Sequence, residues 1–567
     1  MSAPTLADHL RQLACLAEIR GTGAPDLRTA VAILDRLNAL ERARLEQRLR
    51  HNKTSEFPDF PAKAVSRMRE LASGDAPAIV RAATAGIPRL LRRLVELEAV
   101  TCEQTASLAR GFGVVTFADL ENVLGDDRML RLGEPTTARL EEAVKTLARE
   151  VRPVPLGRAD DVLSAVQDLI AHHCPQVEEV MTAGGARRFE PLVSQLLLVG
   201  RSDSPPQAVE ALSAMPDVED VLHRTPRRAL LSIHQHEVDV RIAAPDEYGT
   251  VLFTNTGSSA HVRAVAGRRR PRLHASEQDV YSYAGLPYIP AEIRNGAGEV
   301  EAAIAGPLPQ LVRRVDIRGD LHMHSSYSDG HDTLDTMIAG CVALGYEYIA
   351  ITDHSERAAA SRTLTLDQLA RQRDEILRLR AQYPQIAILH GIEVDILPDG
   401  RLDFADVILE QLDIVLASLH DGARQDGPTL TRRCLRAIVH PLVNVITYPA
   451  NRLVGRRAGY PLDFDALYAA AAETGTALEI DGAPGHLDLD GEHARDAVAA
   501  GVTVTIDSDC HRVKSLDRQM RLGVGTARRG WVEAHHVLNC RPLAEVLAFI
   551  QAKRNRPALP AHPAAAC

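Results

Sequence analysis

Two histidines separated by one residue, His322 and His324, begin the part of this sequence whose residue types and spacing point to metal chemistry. They lie in DLHMHSSYSDG (320–330), and side chains two apart on an extended segment project from the same face. Two imidazoles on one face could bind a single ion. A His-x-His pair also occurs at ordinary surface and core positions, so the residues around it decide between the two interpretations.

Six further ligand candidates occur in the same part of the chain: Asp329, His354, Glu393, His420, Asp509 and His511. This set exceeds what one tetrahedral structural zinc requires, and a mixture rich in His and carboxylate but poor in Cys is typical of catalytic Zn, Mn or Fe. We therefore expect two or three divalent ions. Neighbouring ions can bind phosphate oxygens, lower the pKa of a water and stabilise a leaving oxygen, so phosphoester hydrolysis is the predicted reaction class.

The segments that carry these residues are predicted strands of a parallel sheet or barrel, because apolar runs alternate with helical patterns. The runs are YIAITDH (348–354), IAILHGIEVDIL (386–397), DIVLASLH (413–420), NVITYP (444–449), TALEIDG (476–482) and VTVTIDSDCH (502–511). Each has a polar, metal-capable residue at or just past its C-terminal end. Active sites of α/β barrels collect at that end of the strands, which favours a single site.

The remainder of the chain divides into two further regions. Residues 1–150 have apolar positions at helical spacing and are predicted to be all α-helical. The segment VRPVPLG (151–157) marks a boundary, since proline interrupts the helical pattern. Residues 151–312 alternate helices with β-like runs and form a predicted α/β domain, followed by the metal-binding domain at 313–555 and a tail at 556–567 that we expect to be disordered. The β-like runs are SQLLLVG (194–200), DVLHR (220–224), RALLSIHQHEVDVRI (228–242) and GTVLFT (249–254).

The composition is that of an ordinary globular protein, with 567 residues, 45% hydrophobic and 25% charged. No apolar run approaches the length of a membrane span and no secretory signal is evident, so we expect the cytoplasm and no membrane partner. The eight cysteines show no paired spacing and are predicted to be free thiols. A formal charge of −10 does not favour coating of nucleic acid by charge alone.

DLHMHSSYSDG, ITDHS, GIEVDILPDGRLDF, ASLH and DSDCH together resemble the PHP (polymerase and histidinol phosphatase) domain. The resemblance implies a distorted (β/α)7 barrel with a trinuclear metal site. It also implies that the eight residues named above are ligands, with Glu393 bridging two ions. On this basis we assign catalytic roles to Glu393, Asp509 and His511.

One position departs from that pattern. Where the family carries a histidine before proline, this sequence reads ITYPANRL, so Tyr448 stands in a ligand position. Its unperturbed pKa near 10 makes a phenol a poorer ligand at neutral pH than imidazole, and we expect the ion shared by Glu393 and His420 to be weakly held or lost. Arg452, four residues on, is a candidate for binding a substrate phosphate, with a structural arginine as the alternative.

Most of the remaining chain resembles bacterial family X DNA polymerases, which join a helical DNA-binding region and a nucleotidyltransferase palm to a C-terminal PHP domain that acts as a 3′-5′ exonuclease. The matching segments are GGARRFEPLVSQLLLV (184–199), HEVDVRIAAPDEYG (236–249), NTGSSAHV (255–262) and YAGLPYIPAEIRNGAGEVEAA (283–303).

The polymerase site of this family holds two magnesium ions on an Asp-x-Asp and a third carboxylate. The Asp-x-Asp positions here read Gln195 and Leu197, and only the third carboxylate, Asp239, remains. Nucleotidyl transfer is therefore predicted to be absent or severely reduced. Arg187 and Arg188 persist and are candidate substrate-binding residues.

The helical region has lost the matching DNA-binding turns. Helix-hairpin-helix elements approach a phosphate through a Gly-x-Gly turn. The corresponding places read FPDFPAKAVSRM (57–68), LEAVTCEQTASL (97–108) and LRLGEPTTARL (130–140), without paired glycines. We predict little DNA affinity from this region.

These observations favour a metal-dependent phosphoesterase that acts as a 3′-5′ exonuclease or processes DNA 3′ ends in repair, with single-stranded DNA or 3′ ends as partner. One alternative is a phosphatase of a small phosphorylated metabolite, as in PHP relatives of histidinol phosphatase. Another is a noncatalytic DNA-repair scaffold.

Overall fold

The computed structural model describes residues 4–51, 57–84, 86–97, 100–124, 134–150, 153–270, 272–358, 362–420 and 424–556. The predicted tail, from residue 557, lies outside them. Contacts group the chain into two compact units: unit 1 comprises Met1–Pro153, Val162–Thr182 and Ser194–Val251, and unit 2 comprises Val154–Asp161, Ala183–Val193 and Leu252–Cys567. Among the described residues, no helix has both the length and the apolar character that a membrane span requires.

The described residues up to 150 are helical, which confirms the prediction for this region. The helices are α1 (Leu6–Ile19), α2 (Pro25–Arg36), α3 (Ala39–His51), α4 (Ala62–Ser73), α5 (Ala76–Thr84), α6 (Arg89–Glu96), α7 (Cys102–Gly111), α8 (Phe117–Leu124) and α9 (Glu134–Glu150). Their apolar faces bury Leu10, Leu34 and Met68 in one core. Of the three segments where a DNA-binding turn was sought, 57–68 is a turn followed by α4, and the other two lie partly outside the described residues.

The prediction that all cysteines are free is wrong for two of them. Cys15 in α1 and Cys102 in α7 form a disulfide, with their Cα atoms 5.1 Å apart. The pairing joins positions 87 residues apart, so it depends on the packing of α1 against α7 and has no signal in local spacing. Cys174, Cys341, Cys434, Cys510 and Cys540 are free.

A five-stranded sheet in unit 1 has the order β2-β4-β7-β6-β5. Its strands are β2 (Glu178–Thr182), β4 (Leu196–Arg201), β5 (Val218–Thr225), β6 (Arg228–Ile233) and β7 (His236–Ala243), with a separate pair formed by β1 (Val154–Pro155) and β3 (Leu192–Val193). The helices of this region are α10 (Leu156–His173), α11 (Gly184–Arg187), α12 (Pro205–Ser213), α13 (Tyr248–Thr256), α14 (Ser259–Ala266), α15 (Glu277–Ala284) and α16 (Glu299–Ala305).

Two predicted strands of this region take another form. The run RALLSIHQHEVDVRI is a hairpin, β6 and β7, because His234 and Gln235 both adopt positive φ and turn the chain. GTVLFT, predicted as a strand, lies in α13. Tyr248, Leu252 and Thr256 are buried at a spacing of four, which is a helical period, and so short an apolar run does not distinguish helix from strand.

Seven parallel strands in unit 2 form a sheet in sequence order from β8 to β14, as predicted for a distorted (β/α)7 barrel. They are β8 (Gly319–Asp320), β9 (Tyr348–Ile351), β10 (Ala387–Asp395), β11 (Ile414–Ser418), β12 (Val445–Ile446), β13 (Ala477–Asp481) and β14 (Val504–Asp507). A parallel bridge between Met323 and Cys510, just past the first and last strands, nearly closes the barrel. Each strand is almost entirely buried, as expected for a parallel sheet covered by helices.

The helices of the barrel are α17 (Leu334–Ala343), α18 (Leu366–Gln382), α19 (Asp406–Leu409), α20 (Gly427–Val439), α21 (Phe464–Thr474), α22 (Gly491–Ala499), α23 (Leu516–Arg529) and α24 (Leu543–Arg554). Earlier segments of unit 2 also contact the barrel. On α23, Arg518 and Arg521 donate to the carboxylate of Asp160 at 3.1 and 2.7 Å, and Arg518 donates to the carbonyl of Gly157 at 2.6 Å.

Candidate metal centre

The eight residues predicted as ligands meet at the C-terminal ends of the barrel strands. They form three groups in which one potential ligand atom from each residue lies within 4.8 Å of the others. The groups are His322, His324 and Asp509; His354, Glu393 and His420; and His324, Asp329, His354 and His511. Two histidines belong to two groups each, so the groups are contiguous.

Glu393 lies at the centre of the cluster. Its Oε2 atom is 3.5 Å from His322 Nε2 and 3.6 Å from His324 Nε2, in addition to its own group. It lies in β10, the third of the seven strands, and its side chain is fully buried. Its other oxygen, Oε1, lies 3.6 Å from His420 Nε2, and the bridging of two ions by Glu393 stays a prediction.

The donor set fits divalent metal. His324 Nδ1, His354 Nδ1 and Glu393 Oε2 are buried and lack a hydrogen-bond partner among the described residues. His354 Nδ1 and Glu393 Oε2 are only 2.7 Å apart, yet without hydrogen-bond geometry, and the Nε2 atoms of His322 and His324 face each other at 3.2 Å. Buried polar atoms normally find partners, and lone pairs converging on one space are what a cation satisfies.

Surrounding carboxylates orient the imidazoles. Glu479 in β13 faces His322 Nδ1 at 2.6 Å, and Asp395 at the end of β10 faces His420 Nδ1 at 3.0 Å. In each case Nε2 is left to point at the cluster. Such outer carboxylates fix the tautomer and ring orientation of a ligating histidine.

The loop that carries Asp329 is held by Asp353, which lies just past β9. The Asp353 carboxylate accepts hydrogen bonds from the backbone N–H of Ser325 at 2.8 Å and of Ser328 at 3.1 Å, from both serine hydroxyls, and from Gln372 at 2.6 Å. Gly330 completes the loop, because a Cβ there would lie 2.6 Å from the backbone of Ser325.

Tyr448 follows β12 and places its hydroxyl within the cluster. The hydroxyl donates to Glu393 Oε1 in a short hydrogen bond and lies 2.7 Å from His420 Nε2. Its ring stacks against His486 with centroids 4.9 Å apart. The backbone at Tyr448 has a φ of 26°, an unusual value for a side chain of this size, and such strain is typical of functional positions.

Mutual interactions set the ionisation of the cluster. Burial opposes the charged form of Glu393, but the imidazoles of His354, His322 and His420 hold its pKa well below its usual range. Burial and the neighbouring imidazoles lower the pKa of His324 to about 3. Burial also acts to lower the pKa of His511, but the carboxylates of Asp509 and Asp329 outweigh burial and raise this pKa to about 9. Imidazolium groups of the cluster therefore balance part of the negative charge of its buried carboxylates.

Arg452 does not face open space in the structure. Its guanidinium donates to Asp490 at 3.1 Å and to the backbone carbonyls of His486 and Leu487. These contacts tie the loop after β12 to the loop after β13. A role in phosphate binding stays a prediction for this residue.

Asp239, which we predict to be the third carboxylate of the palm, is completely buried in an ion-pair network. Arg228 donates to both of its oxygens at 2.8 Å, Arg241 lies 3.1 Å away, and Gln195 Nε2 donates at 2.7 Å. Leu197 on β4 pairs directly with Asp239 on β7. Gln195 and Leu197 thus lie beside Asp239, whose oxygens are bound by guanidinium, and their assignment to the Asp-x-Asp positions stays a prediction.

Arg187 and Arg188 also have protein partners. Arg187 forms a two-pronged pair with Glu277 at 2.8 and 3.0 Å, and Arg188 contacts Glu190 and the carbonyl of Thr256. Their assignment to substrate stays a prediction.

Several supporting residues were not singled out from the sequence, chiefly Glu479, Asp353, Asp395 and His486. Asp353 and Asp395 lie at ends of predicted strands, in ITDH and GIEVD, so their position was a usable signal, whereas Glu479 lies in the middle of TALEIDG. His486 lies in a loop, and no local pattern indicates its contact with Tyr448.

Comparison with known proteins agrees with this geometry. The family model described as the PHP domain matches residues 320–445. The DNA polymerase/3′-5′ exonuclease PolX of Bacillus subtilis (strain 168) is 34% identical over 493 residues, which cover 83% of this chain and 85% of that protein. A probable phosphatase of Shewanella oneidensis is 32% identical over 211 residues, covering 35% of this chain and 77% of that protein.

Among solved structures, the histidinol phosphate phosphatase of Lactococcus lactis subsp. lactis, in complex with zinc, L-histidinol and phosphate, shares 18% identity. Its match covers 38% of this chain and 93% of that one, with a TM-score of 0.30. The match to the Bacillus relative extends well beyond the PHP domain, since it covers 83% of this chain. The chain therefore belongs to the family of the DNA polymerase/3′-5′ exonuclease PolX and carries a PHP domain in its C-terminal part.

Proposed function

We propose that this protein is a metal-dependent phosphoesterase that removes nucleotides from DNA 3′ ends. The observation that carries the proposal is the convergence of eight His, Asp and Glu side chains, with unsatisfied buried atoms, at the C-terminal ends of seven parallel strands. The Bacillus relative is named a 3′-5′ exonuclease, which supports DNA as the substrate and partner.

The residues suit two or three ions of Zn, Mn or Fe, and the ions would supply Lewis acidity and charge neutralisation for a phosphate. The two histidine-rich groups that share His324 offer ligand sets rich in imidazole. The remaining group is compromised, since Tyr448 already contacts both Glu393 and His420. We expect any ion there to be the weakest held.

The side chains that face substrate are those nearest solvent. His511 is 32% exposed, whereas His322, His324 and Glu393 are fully buried. His511, Asp509 and Glu393 are the residues to which we assign catalysis. In the reaction a water oxygen bonds to phosphorus, the bond from phosphorus to the 3′ oxygen of the retained strand breaks, and that oxygen takes the proton.

Two other functions remain as competing proposals. A small phosphorylated metabolite as substrate is favoured by the match to a probable phosphatase, which is confined to about a third of this chain. A noncatalytic repair scaffold would follow if the Tyr448 substitution removed metal binding altogether. We expect the palm to perform no nucleotidyl transfer in either case, and we place the protein in the cytoplasm.

The test is incubation of purified full-length protein with Mn²⁺ and a 5′-labelled single-stranded oligonucleotide. We expect progressive shortening from the 3′ end, lost in His322→Ala/His324→Ala and kept in His535→Ala, a change at an exposed histidine outside the cluster. Equal activity of the double variant would refute the assignment. Phosphate release from small monoesters with intact DNA would favour the metabolite phosphatase, and binding without turnover the scaffold.

A further inference from the structure

A cavity of about 480 Å³ opens beside the metal centre. Asp329 and His511, two of the eight proposed ligands, line it together with Arg362, Arg512, His331 and Gln519. A volume of this size accommodates a nucleotide-sized ligand. The cavity thus joins the most solvent-accessible part of the metal cluster to a wall that carries two guanidinium groups.

The hydrogen-bond partners of Arg362 and Arg512 differ from those of the other arginines described above. Arg362 donates to the carbonyl of Gly330 at 2.8 Å, and Arg512 lies 3.2 Å from Nε2 of His331. Within the part of the chain that the structure describes, neither guanidinium has a carboxylate within 4.0 Å. By contrast Arg452, Arg187 and Arg228 are each paired with a carboxylate. Arg362 and Arg512 therefore retain donors for an anion.

Backbone contacts fix the segment that carries Arg512 relative to the metal cluster. The N–H of His331 donates to the carbonyl of His511 at 2.8 Å, and the N–H of Val513 donates to the carboxylate of Asp332, also at 2.8 Å. The loop after Asp329 and the segment after Asp509 are thus joined on both sides of Arg512. Prepositioned guanidinium groups lose little freedom when they bind phosphate.

We propose that Arg362 and Arg512 form a subsite for the phosphate adjacent to the one that is hydrolysed. The substrate is then an oligonucleotide with consecutive phosphodiesters. A small monoester has a single phosphate, which the metal centre would hold, and it would leave these two guanidinium groups without an anion. Guanidinium matches the geometry of a phosphodiester with two parallel N–H donors. This inference rests on the phosphoesterase activity proposed above.

In the test, the full-length protein with Mn²⁺ is given two substrates. One is thymidylyl-thymidine, which has one phosphodiester, and the other is the thymidine trinucleotide, which has two. Wild-type kcat/KM for release of the 3′-terminal nucleotide should favour the trinucleotide by roughly tenfold or more, the size of a charge-assisted contact. In Arg362→Ala/Arg512→Ala this preference should fall to about one. The preference for the trinucleotide should also fall less steeply with rising salt concentration in the variant. Each lost phosphate contact reduces the slope of log affinity against log salt concentration by roughly 0.7.

Lys514→Ala is the matched control, because it removes an exposed positive charge two residues from Arg512 and outside the cavity. It should keep the wild-type preference. Folding of the double variant is judged by circular dichroism and metal content. If the double variant does not fold, Arg512→Ala alone replaces it in the test, because this change leaves the contact of Arg362 with Gly330 intact.

An unchanged preference in both arginine variants, or an equal loss on both substrates, overturns the subsite. So does a wild-type protein that cleaves both substrates without preference, although the phosphoesterase proposal would then stand. A wild-type protein that cleaves neither oligonucleotide but hydrolyses p-nitrophenyl phosphate refutes the DNA substrate and the subsite together.

Discussion

At the position where the resemblance predicts an imidazole, Tyr448 supplies a group that can both donate and accept a hydrogen bond. Burial together with the charge of Glu393 raises the pKa of Tyr448 well above its usual value, so its hydroxyl keeps its proton. A neutral phenol can then join Glu393 to His420 without any ion. The same hydroxyl would have to be displaced or ionised before a metal could take both of these ligands.

Restoring the imidazole should therefore increase metal content. We expect Tyr448→His to bind about one more ion per chain than the wild type, because a histidine there completes a closed set of ligands. Elemental analysis after dialysis against Zn²⁺ or Mn²⁺ measures the difference. Tyr448→Phe, which removes the hydroxyl without adding a ligand, should gain no ion. Equal stoichiometry in wild type and Tyr448→His would contradict the interpretation.

Metal binding should depend on pH through His511. With its pKa raised to about 9 in the metal-free protein, the imidazole is protonated at neutral pH and must lose the proton to act as a ligand. Apparent metal affinity should thus rise with pH until about pH 9 and then level off. Calorimetric titration at pH 7 in buffers of different ionisation enthalpy should show proton release that is lower by about one proton in His511→Ala. Identical release in the two proteins would exclude this source.

The eight candidate ligands could be predicted as a cluster because they are metal-capable residue types, most of them at or near the end of an apolar run, and the structure brings them together. Glu479 was less visible, since its role depends on a 2.6 Å contact with a histidine 157 residues away. The partners of Arg452 could not be foreseen either. Whether a guanidinium faces substrate or protein depends on the folding of loops, which a motif does not encode.

At the scale of elements, periodicity located all six barrel strands that were predicted from apolar runs. The first strand, β8, is only two residues long, Gly319–Asp320. It was located from the metal-capable histidines that follow it and not from an apolar run. Outside the barrel, periodicity failed for α13, where a six-residue apolar run fits either state. Strand order followed from the resemblance and from the general rule that alternating strands and helices form parallel sheets.

The contact between β9 and the loop after β8 should be essential for the metal centre. Asp353→Asn replaces a carboxylate that accepts five hydrogen bonds with an amide whose N–H groups face donors. We expect destabilisation of about 1–3 kcal/mol and a displaced Asp329. Thermal unfolding and metal content would both report it. Asp374→Asn, at an exposed position on α18, should match the wild type; equal behaviour of the two variants would show that the loop does not need this carboxylate.

At the scale of the whole molecule, the palm region forms a five-stranded sheet in which Asp239 is buried and bound by two arginines. Primer extension should fail for the wild type and also for Gln195→Asp/Leu197→Asp, because Arg228 and Arg241 already bind the oxygens of Asp239. An assay with all four deoxynucleotides and Mg²⁺ or Mn²⁺ would check this, with the Bacillus relative as the positive control. Extension by the wild type would show that the carboxylates are supplied from elsewhere.

The interleaving of the two units limits how this gene can be shortened. Residues 154–161 and 183–193 lie in the palm region of the sequence, yet they belong to the unit of the barrel. A deletion up to residue 312 would remove Asp160, the partner of Arg518 and Arg521, along with the rest of that surface. Hydrolysis in the barrel would then depend on residues of the palm region, even if that region performed no nucleotidyl transfer.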